Sequence, residues 1–155
     1  MEWLKGCKVK GIVNVTSEIK NFFSEGFEYH KIPIADDPYC KISMYFEDAH
    51  EFIEEQRKKG SVLIHCQKGQ SRSVTLVYSY LIHHENLSLL EIDNFFQKNA
   101  VKTSMNLGFK QQLMLYEKKL RGVQTKDFLD MPPRTRRTPQ KYSPERKTAN
   151  LRKIR

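Results

Sequence analysis

The chain has 155 residues, a formal net charge of +9 and 39% hydrophobic residues, among them nine Phe and seven Tyr. That length fits one domain of ordinary size, and the apolar content can build its core, which excludes a wholly disordered chain. No apolar run approaches the ~18 residues of a membrane span, and Met1-Glu2-Trp3-Leu4-Lys5 lacks a secretory apolar stretch, so a soluble protein of the cytoplasm or nucleus is expected.

In chain order, residues 9–15 (VKGIVNV) and 28–34 (EYHKIPI) are short, rich in β-branched residues and bounded by polar stretches, which predicts strands. Residues 18–23 are expected to form a short helix between them, completing a strand, crossover, strand unit of the parallel kind. Over residues 42–59, Ile42, Tyr45, Phe46, Ala49, Phe52 and Ile53 recur at helical spacing, so an amphipathic helix is predicted that stops near Gly60. Ser61-Val62-Leu63-Ile64-His65 is apolar and too short for a helix, as expected of a central strand buried on both faces. A loop from Cys66 to Arg72 follows, and then Val74, Leu76, Val77, Tyr80 and Leu81 return at helical spacing over residues 73–84. Ser88-Leu89-Leu90-Glu91 has capping-box spacing and predicts a helix to about Asn99. A last helix is predicted over residues 107–120, with Phe109, Leu113, Tyr116 and Leu120 on one face. The pattern describes an α/β domain with a central, mainly parallel sheet flanked by helices.

Charge and proline content change near residue 121. Residues 121–155 hold 11 of the 27 Lys and Arg against 3 of the 18 Asp and Glu, so they carry +8 while the first 120 residues carry +1. Pro132, Pro133, Pro139 and Pro144 also lie there, and the apolar residues show no period. Residues 1–121 are therefore read as the folded domain and 122–155 as a disordered basic tail. Arg134-Thr135-Arg136-Arg137 and Arg146-Lys147 suit nucleic acid, an acidic protein or anionic lipid, or simply solubilise the chain. Thr138-Pro139 and Ser143-Pro144 have the form of proline-directed phosphorylation sites, whose use would lower the tail's charge.

The chemistry concentrates in His65-Cys66-Gln67-Lys68-Gly69-Gln70-Ser71-Arg72-Ser73. Cys7, Cys40 and Cys66 are odd in number and unpaired in spacing, so no disulfide framework, zinc site or other cofactor is expected. A loop between a strand end and a helix N-terminus turns backbone N–H groups on an anion, and the helix adds its positive end. The same field stabilises a Cys66 thiolate as nucleophile. Arg72 supplies bidentate donors to phosphate oxygens, Gly69 the freedom for a tight cradle, and Ser71 and Ser73 hydroxyls inside it. Gln67, Lys68 and Gln70 complete the cradle. Ser73 can stabilise the departing thiolate, and His65 is expected to order the loop.

These nine residues resemble the HCxxGxSRS signature of dual-specificity protein phosphatases. The resemblance extends over about residues 9–120, through Gly11-Ile12-Val13-Asn14-Val15-Thr16, Ile32-Pro33-Ile34-Ala35-Asp36, Tyr45-Phe46, Asn106-Leu107-Gly108-Phe109 and Tyr116-Glu117. It implies a protein tyrosine phosphatase-like fold. The implied activity is hydrolysis of phosphotyrosine and phosphoserine or phosphothreonine on phosphoproteins through a phosphocysteine, with Asp36 as general acid and then base. Asp37 is the alternative acid. Asn106 matches a residue that helps hold the phosphate loop, and it suits a helix N-cap equally. Two departures stand out: family domains usually begin with a further strand or hairpin where this chain has eight residues, and Met105 replaces a usual proline. The sheet is therefore expected to have a shortened N-terminal edge. Lys68 leaves open a polyanionic substrate such as a phosphoinositide or an RNA 5′-triphosphate end, while Ser71-Arg72-Ser73 points to phosphoproteins. A non-catalytic phosphate-binding module is the remaining alternative. A monomer is expected.

Overall fold

The computed structural model describes residues 2–131 apart from Ser24, so the expectations for the tail beyond Met131 lie outside the described residues. The first strand, β1 (Val9–Asn14), lies between β2 (Glu28–Lys31) and β3 (Ser61–His65), and pairs parallel with both. Parallel neighbours need crossover connections, and these carry the helices onto the sheet. Helix α2 (Phe46–Arg57) covers one part of it, and the long buried helix α3 (Arg72–Glu85) runs back from the end of β3. Helices α4 (Leu89–Lys98) and α5 (Leu107–Arg121) close over α3. A short helix α1 (Glu2–Gly6), which the periodicity did not predict, buries Leu4 against Val9 and Ile12. The main core gathers Phe46, Leu76, Tyr78, Ile82, Phe109 and Leu113 between sheet and helices. No helix of the described residues is long and apolar enough to cross a membrane.

Several expectations are corrected. The helix over residues 18–23 does not form. Its backbone is engaged instead by polar side chains: Ile19 N donates to Thr16 Oγ1 (3.1 Å), and Asn14 Nδ2 donates to the Ile19 carbonyl (2.9 Å). Such side-chain bonds offer the chain an alternative to the helical ladder. Strand β2 ends at Lys31 because Pro33 has no N–H to continue the ladder, the last bond being Ile32 N to the Asn14 carbonyl. The helix expected over residues 42–59 opens as a 3-10 turn, Ile42–Tyr45, before α2.

Strand β3 is not central: it lies at the sheet edge, and β1 takes the central place. All five residues of β3 are half-buried, so the apolar run reported how its faces pack, which says nothing of how many strands flank it. Among the described residues nothing pairs with its outer side.

The capping box is formed as expected, with Ser88 accepting from Glu91 N and the Glu91 carboxylate accepting from Ser88 N. The folded region, however, runs past residue 121. After Gly122 terminates α5 at φ +69°, residues 123–131 turn back, and Phe128 becomes 1% exposed against Tyr78. Glu117 holds this strap by accepting from Thr125 N (2.7 Å), and Lys110 Nζ donates to the Met131 carbonyl (2.7 Å). One apolar side chain finding a hole in the core carries no period, so sequence patterning missed it.

Candidate active site

The site forms where β3 stops. A strand ending at the sheet's C-terminal edge delivers Cys66 to the N-terminus of α3, whose first N–H groups have no intrahelical partner. Gly69 sits at φ +66°, in the left-handed region that glycine adopts without Cβ strain, and this lets the loop turn tightly on itself. Cys66, Ser71, Arg72 and Ser73 are buried, Gln67, Lys68 and Gly69 are exposed, and Gln70 and His65 are half-buried. His65 Nδ1 stands 3.4 Å from the Cys66 carbonyl. A firmer tie is Ser104 N, which donates to the Gln70 carbonyl (2.8 Å). Ser104 lies in an unpatterned stretch and gave no sequence signal.

Burial pushes the Cys66 thiol up, but donors overcome it. The Ser73 hydroxyl lies 3.2 Å from Sγ, and the backbone N–H groups of Ser73, Gly69 and Ser71 also turn on the sulfur, so the net shift is downward. Stabilised sulfur anion and convergent N–H groups are what a phosphate-accepting nucleophile requires.

Asp36 faces this loop from the segment after β2. Its Oδ1 accepts from Ser71 Oγ (2.7 Å) and from Asn106 Nδ2 (2.9 Å), so both donors act on one oxygen and Oδ2 is left to the open side. Asp37 points elsewhere: its Oδ1 accepts from Tyr39 N (2.8 Å) and closes the local turn. Asn106 does two things at once, because Oδ1 caps α5 by accepting from Phe109 N (2.9 Å) while Nδ2 reaches Asp36. Its contact is thus with the carboxylate segment, and Ser104 rather than Asn106 bonds the phosphate loop. Gly108 fixes the distance between these parts. A Cβ on it would stand 1.9 Å from the Pro38 carbonyl oxygen, so only glycine lets α5 approach the segment that carries Asp36 so closely.

Arg72 Nη1 donates to Glu18 Oε2 (2.9 Å) and to the Ile34 carbonyl (3.0 Å), and Nη2 donates to Glu18 Oε1 (2.7 Å). This pairing raises the guanidinium's pKa further and lowers that of Glu18 to about 2. Sequence reading placed Glu18 in a helix and did not connect it with Arg72. Fifty-four positions separate the two, and no local pattern links them.

A parallel sheet, a strand-loop-helix anion cradle around a cysteine and a carboxylate facing it define the cysteine-based tyrosine phosphatase architecture. Residues 1–119 match the family model described as "Dual specificity phosphatase, catalytic domain". The chain belongs to the dual-specificity phosphatase family. It is 41% identical over 122 residues to dual specificity protein phosphatase 14 of Homo sapiens, covering 78% of this chain and 62% of that one. To dual specificity protein phosphatase Mpk3 of Drosophila melanogaster it is 40% identical over 123 residues, covering 77% of this chain and 30% of the relative. The chain thus spans less than two thirds of the length of either relative. Among solved structures, human DUSP28 superposes with a TM-score of 0.71 at 29% identity, covering 77% of this chain and 82% of that one. The human tyrosine phosphatase-like serine/threonine/tyrosine-interacting protein superposes with a TM-score of 0.70 at 28% identity, covering 76% and 82%.

Proposed function

We propose that this chain hydrolyses phosphotyrosine and phosphoserine or phosphothreonine on proteins through a phosphocysteine at Cys66. The observation that carries the reading is the set of Ser73, Gly69 and Ser71 donors converging on a buried sulfur, with the Arg72 guanidinium beside it. The Cys66 thiolate attacks phosphorus as the ester P–O bond breaks, and Asp36 transfers its proton to the leaving oxygen. Backbone N–H groups of residues 67–72 and Arg72 hold the equatorial oxygens as charge develops on them. Asp36, now a carboxylate, takes a proton from water, whose oxygen attacks phosphorus. The S–P bond breaks, Ser73 stabilises the returning thiolate, and inorganic phosphate leaves. The two bonds on Asp36 Oδ1 support this assignment over Asp37, since they aim the carboxyl while leaving Oδ2 for the travelling proton.

The protein acts as a monomer in the cytoplasm or nucleus in this reading, and its basic tail draws it to acidic protein, nucleic acid or anionic lipid. The test is turnover of four substrates by the purified protein and by Cys66→Ser: a phosphotyrosine peptide, a phosphothreonine peptide, a phosphoinositide and triphosphorylated RNA. Phosphate release from both peptides without added metal, absent in Cys66→Ser, is expected. Binding of phosphopeptide without turnover would replace the enzyme by a phosphate-binding module. Preferential turnover of lipid or RNA would move the substrate class to polyanions.

A further inference from the structure

Arg72 presents a problem that its own loop does not solve. A guanidinium whose side chain is 4% exposed needs a counter-charge, because an unpaired buried cation is costly, yet it must keep donors for the substrate. Its five N–H groups divide in a way that meets both demands. Three are used by Glu18 and the Ile34 carbonyl, all from Nη1 and Nη2. Nε–H is buried and makes no hydrogen bond within the protein. Nε–H and the second Nη2 hydrogen share one edge of the planar group, and that edge has the spacing to accept two phosphate oxygens.

Glu18 is itself held from below. Asn14 and Thr16 at the end of β1 are fully buried polar residues, and their side chains bond the segment that carries it. Thr16 Oγ1 donates to Asn14 Oδ1 (2.7 Å) and accepts from Ile19 N, while Asn14 Nδ2 donates to the Ile19 carbonyl and to Asn21 Oδ1 (3.0 Å). Lys31 Nζ from β2 donates to Thr16 Oγ1 (3.2 Å) and to the same Ile19 carbonyl. Buried side chains that could have been apolar are instead spent on one six-residue turn. With a pKa near 2, Glu18 stays ionised at any working pH and moves no proton in the reaction.

We infer that Glu18 is a positioning residue for phosphate recognition. It fixes the Arg72 plane through one edge, so that the Nε and Nη2 edge meets the substrate phosphate without reorganisation. The inference rests on the proposed phosphatase reading for its kinetic consequences, but oxyanion binding tests it separately. Removing the anchor lets the guanidinium rotate, and misplacement of a binding group by ~1 Å is worth about 100-fold in rate.

The experiment compares wild type, Glu18→Gln, Arg72→Lys and the double variant, each read by tungstate affinity, by kcat and KM on an aryl phosphate, and by Tm. Glu18→Gln is expected to weaken tungstate binding about tenfold and to lower kcat/KM by roughly 30- to 100-fold. Because the Glu18 side chain is 40% exposed, Tm is expected to move by only a few degrees, about what loss of a half-exposed pair produces. In the Arg72→Lys background, which has no second planar edge to orient, the same substitution is expected to change affinity and rate by less than about twofold. Unchanged or tighter tungstate binding by Glu18→Gln would overturn the inference, as would an equal loss in both backgrounds. A wild type that binds tungstate and turns over no ester would overturn the phosphatase reading alone.

Discussion

The two ends of α3 treat buried polar atoms in contrasting ways. At the N-terminus, Ser71, Arg72 and Ser73 are buried, and Arg72 Nε lacks a protein partner on the edge turned from Glu18. Toward the C-terminus, His50 of α2 is 3% exposed and its Nδ1 also lacks a partner. Ser79 Oγ donates to the Leu76 carbonyl, so it accepts from His50 Nε2–H at 3.0 Å, which leaves Nδ1 as the unprotonated nitrogen. Around it stand Phe46, Tyr80, His83, His84 and Tyr116, with ring centroids 5.4 to 6.3 Å away. At one end an unmatched donor belongs to a cation and lies beside convergent N–H groups, where the proposed oxyanion would match it. At the other an unmatched nitrogen lies among rings, two of them imidazoles, and burial followed by those neighbours drives the His50 pKa down to about 3. The lesson is that an unsatisfied buried atom signals a ligand only where the surrounding charge favours one.

The contrast can be broken most severely at Arg72. Arg72→Ala is expected to lower kcat/KM for an aryl phosphate by about 10³-fold or more, since two phosphate donors go together and Glu18 loses its partner. Steady-state kinetics check this, and a loss under tenfold would place the phosphate on backbone N–H groups alone.

Next in size, Asp36→Asn is expected to cost about 10²-fold with a poor leaving group and much less with an activated aryl ester, which departs without a proton. Equal losses with both esters would remove Asp36 from proton transfer. Gly108→Ala is a milder form of the same lesion, because the added Cβ must push Pro38 and with it the Asp36 segment. A loss of roughly tenfold, again concentrated on poor leaving groups, is expected.

Ser73→Ala sharpens the comparison through pH. The Ser73 hydroxyl is the largest influence lowering the Cys66 pKa, so its loss raises it. The acid limb of kcat/KM, where rate rises as the thiol ionises, is expected to move to higher pH. A limb that stays in place would assign it to substrate ionisation.

The smallest effect is at the far end. Between pH 6.5 and about 3 an unfolded chain binds a proton at His50 that the folded one refuses, so stability falls as pH falls through this window. His50→Phe removes that proton. Urea unfolding at pH 7, 6 and 5 is expected to give similar stability at pH 7 and a shallower acid loss in the variant, by at most about 1.4 kcal/mol per pH unit. Parallel profiles would mean that His50 protonates in place without cost. The window above pH 4.5 keeps Glu18, Glu54 and Glu91 out of the reading, because their lowered pKa values make their losses begin below it.

What the sequence determined by itself was local. Hydrophobic period placed α2, α3 and α5, capping-box spacing placed α4, and short β-branched or apolar runs placed the three strands, because each of these signals lies within one element. The capping box at Ser88 and Glu91 and the strand-loop-helix around Cys66 were legible for the same reason, since each is built from consecutive stretches of chain. The resemblance to a family singled out Asp36 and Asn106, which no spacing rule would have joined to Cys66. Only the tertiary structure decided the long-range matters. It put β3 at the edge, since pairing follows from crossovers and not from the apolar content of a strand. It sent Phe128 back into the core, gave the backbone N–H and carbonyl of Ile19 to Thr16 and Asn14 where a helix was expected over residues 18–23, and set Glu18 against Arg72. Charge pairs and single buried side chains have no period, so their partners become known only when the chain has folded and distance in sequence no longer measures distance in space.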